Sequence, residues 1–473
     1  MKIKLIKFRP PKKIDIQKYR LRLLYATSAS ITSILTIWFF AGYHFAGKAE
    51  EAIDSEIEKM HTVCPKREAN SAASKYKILS EQLFISNTKR REGTQYPNYS
   101  TYVYSEYIYH ALKSQSVDTI SPKKLQRYLI FYSDEINQIR DHLLTSKSLD
   151  FGQDYDLKEL KEKDYFSTIS SRSFVEIQEI LMLDLLHKSA KDQTRLFFDT
   201  LKASDVLQYS LQDNNCQSWS QLATIKELLE VQWLALRLIK TLPSKWENRL
   251  VKNKDSAIYP HRISFVQKLA GFYRTRNDTE YFVSSDREYQ EKFHSARIIK
   301  LVQSLQKPYL IFVAFDNWNR NDLTAKTIRN KINDEGICKL DPNKIQRNLS
   351  TSSWWSFASQ YNTHAARNIV WYARYLVHRE LTIKVLQLKE MANQNGQFPK
   401  RFPGIEKSEV CNDLRWQYTV TEDGQKMTIQ INSQYFPKVL ETTEFERTGC
   451  EIPRAENWSC APLSFTAHIP HNE

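Results

Sequence analysis

The pattern of apolar and polar positions divides the chain into an uncharged N-terminal segment, a long region of amphipathic helices and a C-terminal segment with strands. The first segment runs from Leu23 to Gly47 without a formal charge, between Arg22 and Lys48. A helix of roughly 20 apolar residues crosses the hydrocarbon core of a membrane. The pattern therefore predicts one transmembrane helix over residues 23–47.

Two other structures would also give this pattern: a buried helix of a soluble protein and a cleaved signal peptide. Uncharged runs of this length are rare in soluble helices. A signal peptide usually has an apolar core of about 7–15 residues, followed by a small-x-small cleavage site. The core is longer here, and the triplet Gly47-Lys48-Ala49 is a poor cleavage site. We therefore expect the helix to be retained as a signal anchor.

The charges beside the apolar segment indicate its orientation. Residues 1–22 contain nine lysines and arginines and a single acid, Asp15, whereas acidic residues follow the segment. Positively charged flanks stay on the cytoplasmic side of a membrane. We expect a basic cytoplasmic tail over 1–22, a helix in the bacterial inner membrane, and a periplasmic C-terminal domain. A eukaryotic lumen is equally compatible with the charges.

The residues after the membrane segment are predicted to be mainly helical. Residues 48–120 are expected to form a helical stalk and a loop. Over residues 121–362, apolar residues recur at spacings of three and four, which indicates amphipathic helices. No clean repeat of about 34 residues is found, so an irregular, solenoid-like ectodomain is expected. Four helices are indicated, by the apolar positions within 125–132, 174–186, 197–211 and 222–238.

Residues 363–473 are predicted to form a small α+β module that begins with a long helix. This helix is expected to run from about Thr363 to Asn393. It should end at Asn395-Gly396, because glycine readily adopts the left-handed conformation that terminates a helix.

Two short strands are predicted after this helix, on either side of Asp423-Gly424. This dipeptide favours a two-residue type I′ turn and so sets the register of a β-hairpin. In that register, six apolar residues share one face: Trp416, Tyr418, Val420, Met427, Ile429 and Ile431. We expect this face to pack on the preceding helix.

Glycine is scarce, and this limits the fold class. The chain has 10 glycines in 473 residues, whereas roughly 7% is typical. No two glycines are spaced closely enough for a G-x-G-x-x-G or a G-x-S-x-G motif. The composition favours long helices over nucleotide-binding sheets, so a mainly α protein without a cofactor is expected.

The net charge of +14 does not indicate a nucleic-acid-binding protein. The first 22 residues contribute 9 − 1 = +8 of this charge, which leaves +6 for the rest of the chain. Most of the excess is thus explained by membrane topology. The expected partners are the lipid bilayer and other envelope proteins, with no nucleic acid.

All six cysteines lie beyond the predicted membrane helix, where an extracytoplasmic compartment would permit disulfides. Cys450 and Cys460 close a short loop and are the best candidate pair. No C-x-x-C motif is present, which argues against a zinc ribbon. The sequence assigns no partner to the remaining four: Cys64, Cys216, Cys338 and Cys411.

One acidic motif supports an alternative function. Asp154-Tyr155-Asp156 matches the D-x-D pattern with which membrane-anchored glycosyltransferases hold a metal and a nucleotide sugar. Two carboxylates at this spacing can bind one divalent cation. A type II membrane-anchored lumenal enzyme is therefore the alternative. The leading interpretation assigns no metal site and no catalytic residue.

The end of the long helix resembles a known family. The sequence Asn395-Gly396-Gln397-Phe398-Pro399 is similar to the N-G-x-(Y/F)-P turn that follows the long helix in major pseudopilins of type II secretion. In that family a small antiparallel sheet comes next. The resemblance implies a pilin-like module at the end of a larger anchored protein. We therefore expect an extracytoplasmic scaffold or interaction component of a bacterial envelope assembly.

Overall fold

The structure is a computed structural model, and 72% of the residues it describes are helical. The chain divides into two compact units. The first unit comprises Met1–Glu56 and Phe272–Asp316, and the second comprises Ile57–Gly271 and Asn317–Glu473. The described residues are 16–63, 67–83, 107, 123–153, 171–188, 194–211, 219–239, 242–247, 326–328, 330–345, 363–435, 437–440 and 463–469.

The first helix, α1, extends over Ile16–Val63 and contains the predicted membrane segment. Its portion Tyr19–Ala52 is long enough and apolar enough to cross a membrane. The hydroxyls of Thr27, Thr32 and Thr36 each donate to the carbonyl four residues earlier, at 2.8, 2.9 and 2.8 Å. These bonds satisfy the hydroxyls within the helix, so the hydroxyls need no hydrogen bond to water.

The other helices described belong to the second unit and confirm its mainly helical character. Their bounds are α2 Ser71–Gln82, α3 Lys123–Phe131, α4 Ser133–Thr145, α5 Ser171–His187, α6 Thr194–Leu211, α7 Trp219–Leu238 and α8 Thr363–Asn395. Helices α3, α5, α6 and α7 cover the four segments predicted from apolar spacing. The α8 helix ends at Asn395, as predicted.

The α5 helix lies at the centre of this packing, since α3, α4, α6 and α7 all contact it. Residues 173–185 are buried without interruption, so its polar side chains are paired inside the protein. Gln178 donates to Ser204 on α6 at 2.7 Å, and Asp184 accepts from Arg140 on α4. These helix contacts do not establish the regular stacking of a solenoid.

The prediction of a stalk over 48–120 is wrong for α2. This helix packs on α4, where His142 Nε2 lies 2.8 Å from the carbonyl of Ala72. Tyr76 is 2% exposed and its ring contacts Phe151 and Phe174. A periodicity within one helix does not reveal which distant element covers its apolar face.

A two-stranded antiparallel sheet also holds this region to the rest of the second unit. Its strands are β1, Arg67–Ala69, and β2, Phe151–Gln153. At the start of α2, the side chain of Asn70 accepts from the backbone N–H of Ala73 at 2.8 Å. Such a cap stabilises the first turn of a helix. The chain therefore joins the packed helices of the second unit shortly after α1 ends.

The C-terminal sheet has three antiparallel strands in the order β3-β4-β5. They are β3, Trp416–Val420; β4, Lys426–Ile431; and β5, Ser464–His468. The β3 and β4 strands pair in the predicted register, with Trp416 opposite Ile431. The β5 strand was not predicted, because its partner β4 lies more than thirty residues earlier in the sequence.

The hairpin turn is not type I′, although its register is the predicted one. Gly424 has a φ of +70°, but Asp423 does not have a positive φ. The carbonyl of Thr421 accepts from the N–H of Gly424 at 2.9 Å, and the Asp423 carboxylate accepts from the N–H of Gln425 at 3.0 Å. A longer loop with side-chain hydrogen bonds thus replaces the two-residue turn.

Candidate functional site between α7 and α8

The predicted hairpin residues lie together on one side of the C-terminal sheet. Trp416, Met427 and Ile429 are at most 1% exposed, and Phe465 of β5 adds to the same face. Tyr418, Val420 and Ile431 are half-buried there. On the opposite face, Gln417, Thr419 and Gln430 are exposed.

Four other predicted residues lie outside the described part of the chain. These are Asp154 and Asp156 of the acidic motif, and Cys450 and Cys460 of the candidate disulfide. A different pair, Cys338 and Cys411, forms a disulfide with a Cα–Cα distance of 5.5 Å. It joins a short 3-10 helix, Ile337–Lys339, to the loop between α8 and β3.

A buried carboxylate fastens the C-terminal sheet to α8. Glu380 Oε1 accepts from the indole N–H of Trp416 at 2.9 Å, and Oε2 accepts from Ser408 at 2.6 Å. The ammonium of Lys384 lies 3.5 Å from Oε1. We refer to these four residues as the Glu380 clasp. Hydrogen bonds to an ionised acceptor are stronger than neutral ones, so the clasp fixes β3 at the middle of α8.

The turn that resembles the pseudopilin motif packs against the hairpin loop. The backbone N–H of Phe398 donates to the carbonyl of Gly424 at 2.8 Å, and the hydroxyl of Tyr418 donates to the carbonyl of Pro399 at 2.8 Å. A Cβ at Gly424 would lie 2.9 Å from Cβ of Gln397. Glycine is therefore required at this position for both its conformation and its size.

An arginine with no carboxylate partner among the described residues lies in the seam between α7 and α8. Arg237 is 0% exposed. Its Nε donates to the hydroxyl of Thr382 at 2.8 Å, and its Nη2 donates to the carbonyl of His378 at 2.7 Å. Burial lowers the pKa of the Arg237 guanidinium to about 9. The acceptors of Arg237 in the described part of the chain are neutral, and a buried cation with neutral acceptors is costly, which marks this seam as a candidate site.

The geometry assigns the tautomer of His378. Its Nδ1 lies 3.0 Å from Nη2 of Arg237, and a guanidinium can only donate. Nδ1 is therefore the unprotonated acceptor, and the ring proton is on Nε2. Burial lowers the pKa of His378 well below its usual range, and the cations of Arg237, Arg374 and Lys226 lower it further. His378 is thus a neutral hydrogen-bond donor through Nε2.

A lysine on α8 caps the C-terminal end of α7. The Lys389 ammonium donates to the backbone carbonyls of Arg237 and Ile239, at 2.5 and 2.7 Å, and lies 5.5 Å from the ring centre of Phe465. A cation at this end of a helix interacts favourably with the helix dipole. Burial nevertheless lowers the pKa of Lys389 to about 7. The residue therefore connects α7, α8 and β5.

The sequence patterns assigned no role to His378 and did not single out Arg237 or Lys389. A signal existed for Arg237, because it is a single charge within the apolar run Trp233 to Ile239. Such a charge usually has a specific partner or role. Its partner His378 is on a helix far away in sequence, so local periodicity could not indicate the pair.

Comparisons of the chain with protein-family models, curated proteins and solved structures find no match. Within the described part of the chain, no three His, Cys, Asp or Glu side chains are grouped to hold a metal ion.

Proposed function

We propose that the protein is a single-pass, membrane-anchored scaffold or interaction component of a bacterial envelope assembly, with its second unit in the periplasm. The observation that carries the proposal is the exposed apolar surface of α1. Ile34, Ile37 and Phe40 are 64%, 68% and 69% exposed, and the most apolar 18-residue window of the helix buries none of its residues. An apolar surface of this extent requires a nonpolar environment, and the lipid bilayer supplies one.

The disulfide supports the periplasmic location. Cys338 and Cys411 are bonded within the second unit, and structural disulfides are rare in the reducing cytoplasm. The basic residues of the N-terminal tail favour a cytoplasmic position for it, and one membrane crossing would then leave the following residues on the oxidising side. The charge pattern and the disulfide thus support the same topology independently.

The C-terminal module supports a role in assembly rather than catalysis. The Glu380 clasp and the contacts between the two turns attach β3 and β4 rigidly to α8. Gln417, Thr419 and Gln430 are exposed on the polar side of β3 and β4, whereas Thr466 of β5 on the same side is buried. A rigid support with an exposed polar face suits the presentation of a surface to partner proteins, as the resemblance to pseudopilins also implies.

Topology reporters test the proposal in living cells. A reporter active only in the cytoplasm should function when fused after Arg22 and be silent when fused after residue 120. A reporter active only in an oxidising compartment should give the opposite result. Cytoplasmic activity after residue 120 would reject the periplasmic location.

Purification in a mild detergent tests the scaffold role and the disulfide together. The full-length protein should co-purify with envelope proteins in fixed stoichiometry. Peptide mapping without reduction should recover Cys338 bonded to Cys411, and it also tests the predicted Cys450–Cys460 pair. Recovery of the protein alone would contradict the scaffold role, and free Cys338 and Cys411 thiols would contradict the compartment.

A further inference from the structure

The α3 helix is held in the second unit by one face and exposes the other. Its buried face consists of Leu125, Tyr128 and Leu129, each at most 3% exposed, and the helix contacts α4 and α5. The hydroxyl of Tyr128 donates to the carbonyl of Leu83, just after the end of α2, at 3.1 Å. These contacts fix the orientation of α3, and with it the direction in which its opposite face points.

The exposed face of α3 combines basic residues with large apolar ones. Ile130 and Phe131 are 66% and 52% exposed. The exposed basic residues are Lys123, Lys124 and Arg127. With 3.6 residues per turn, these five positions fall within about 120° of the helix circumference. We refer to them as the α3 patch. Basic residues next to exposed apolar ones are typical of a helix that lies at a lipid surface.

The charge of α3 distinguishes it from the other helices described. Its sequence has no acidic residue, whereas each of the other described helices has at least one. The acids that follow it, Asp134 and Glu135, are in the first turn of α4, where a carboxylate interacts favourably with the helix dipole. The α3 patch therefore complements a surface that is negatively charged and also accepts apolar side chains.

We propose that the α3 patch docks on the anionic phospholipids of the bilayer that α1 crosses. The proposal rests on the membrane anchoring in the proposed function. Its basic residues would contact lipid phosphates, and Ile130 and Phe131 would enter the boundary between headgroups and acyl chains. Only residues 64–70 separate α1 from α2, and α3 is bonded to the end of α2. This short tether keeps the patch within reach of the lipid, so a weak contact is sufficient.

Fluorescence quenching in the reconstituted full-length protein tests the docking. An environment-sensitive fluorescent amino acid replaces Ile130, and the vesicles contain phosphatidylcholine and phosphatidylglycerol, part of which carries a nitroxide on an acyl chain. We expect quenching at position 130 that disappears in phosphatidylcholine alone and at high salt, which screens the charges. The control position is Tyr209 on α6, which is 52% exposed and should not be quenched.

Charge variants separate lipid binding from a structural role. The double substitution Lys124→Gln, Arg127→Gln leaves the buried face of α3 unchanged. It should lower the ratio of docked to undocked protein by about 25-fold, since each basic residue near an anionic surface contributes about five-fold. The matched control, Lys75→Gln with Lys77→Gln, removes the same charge from exposed positions of α2 and should keep the wild-type quenching. Circular dichroism should show wild-type helix content in both variants.

A second probe, at Ile34 of α1, distinguishes a failure of docking from a failure of the anchor. Quenching at position 34 without quenching at position 130 would overturn the docking alone, and no quenching at either position would overturn the anchoring as well. Quenching at position 130 that does not depend on phosphatidylglycerol would overturn the recognition of anionic lipid. If position 130 is not quenched and the double substitution abolishes co-purification with envelope proteins, the patch binds an acidic protein and the proposal is overturned.

Discussion

The hydrogen bond between Trp416 and Glu380 allows a quantitative test of how the C-terminal sheet is held. The indole is 1% exposed, and its N–H donates to Oε1 of Glu380 at 2.9 Å. The same oxygen accepts from the backbone N–H of Glu409 at 3.2 Å. Substitution of Trp416 by Phe removes the indole donor and keeps an aromatic ring in the core.

The expected loss of stability follows from the groups that the substitution removes. A hydrogen bond to a charged acceptor contributes about 1.5–3 kcal/mol, and the smaller ring adds the cost of a partial cavity. Trp416→Phe should therefore destabilise the module by about 2–4 kcal/mol, and Trp416→Ala by about 3–5 kcal/mol. Thr419→Ala, on the exposed face, should change stability by no more than ~0.5 kcal/mol.

Hydrogen exchange of the full-length protein in detergent measures this effect locally, through peptides that cover β3 and β4. The same measurement on Glu380→Gln and on the Trp416→Phe, Glu380→Gln double variant completes a double-mutant cycle. The coupling energy between Trp416 and Glu380 should be about 1–2 kcal/mol, as for residues in direct contact. If the losses of stability in the two single variants add up to the loss in the double variant within ~0.3 kcal/mol, the interaction between Trp416 and Glu380 is refuted. A larger effect at Thr419 than at Trp416 would refute the assignment of the buried face.

Two further predictions concern the hairpin loop and the cap of α7. Gly424→Ala should destabilise the module by about 1–3 kcal/mol, and by more than Gly404→Ala. Both glycines have a positive φ, but of these two positions only 424 would bring an added Cβ against Gln397. Equal losses of stability in chemical denaturation would contradict the close contact. The pKa of Lys389 falls to about 7 in the folded protein. Between pH ~7 and ~10.5, Lys389 therefore binds fewer protons in the folded protein than in the unfolded chain. The unfolding free energy of the wild type relative to Lys389→Met should rise across that range, by at most ~1.4 kcal/mol per pH unit. A difference in unfolding free energy that is constant with pH would contradict the shifted pKa.

Much of the secondary structure followed from local patterns. The apolar spacing around Leu181, Leu207 and Leu234 predicted helices that the structure confirms, because each amphipathic helix repeats its buried face every three to four residues. The end of α8 at Asn395 followed from the glycine after it. The hairpin register was also local, since Asp423 and Gly424 mark a turn between strands adjacent in sequence.

The errors share a physical cause. Residues 71–82 were predicted as helix and misassigned to a stalk, because the sequence did not show that Tyr76 packs on Phe151 and Phe174. The predicted turn type was wrong because the Thr421 hydroxyl donates to the Asp423 carboxylate and accepts from the N–H of Lys426, and these bonds stabilise a longer loop in the same register. In each case the deciding contact involves a second element or an unforeseen polar partner.

The sequence by itself determined the long uncharged helix, the mainly helical composition and the alternation of the hairpin, because these depend on neighbours a few residues apart. Only the tertiary structure decided which cysteine Cys338 meets, which strand completes the sheet, and that Arg237 would lie against His378. Arg237 and His378 are separated by 141 positions in the sequence. No periodicity connects positions so distant, and their contact exists only because α7 and α8 pack together.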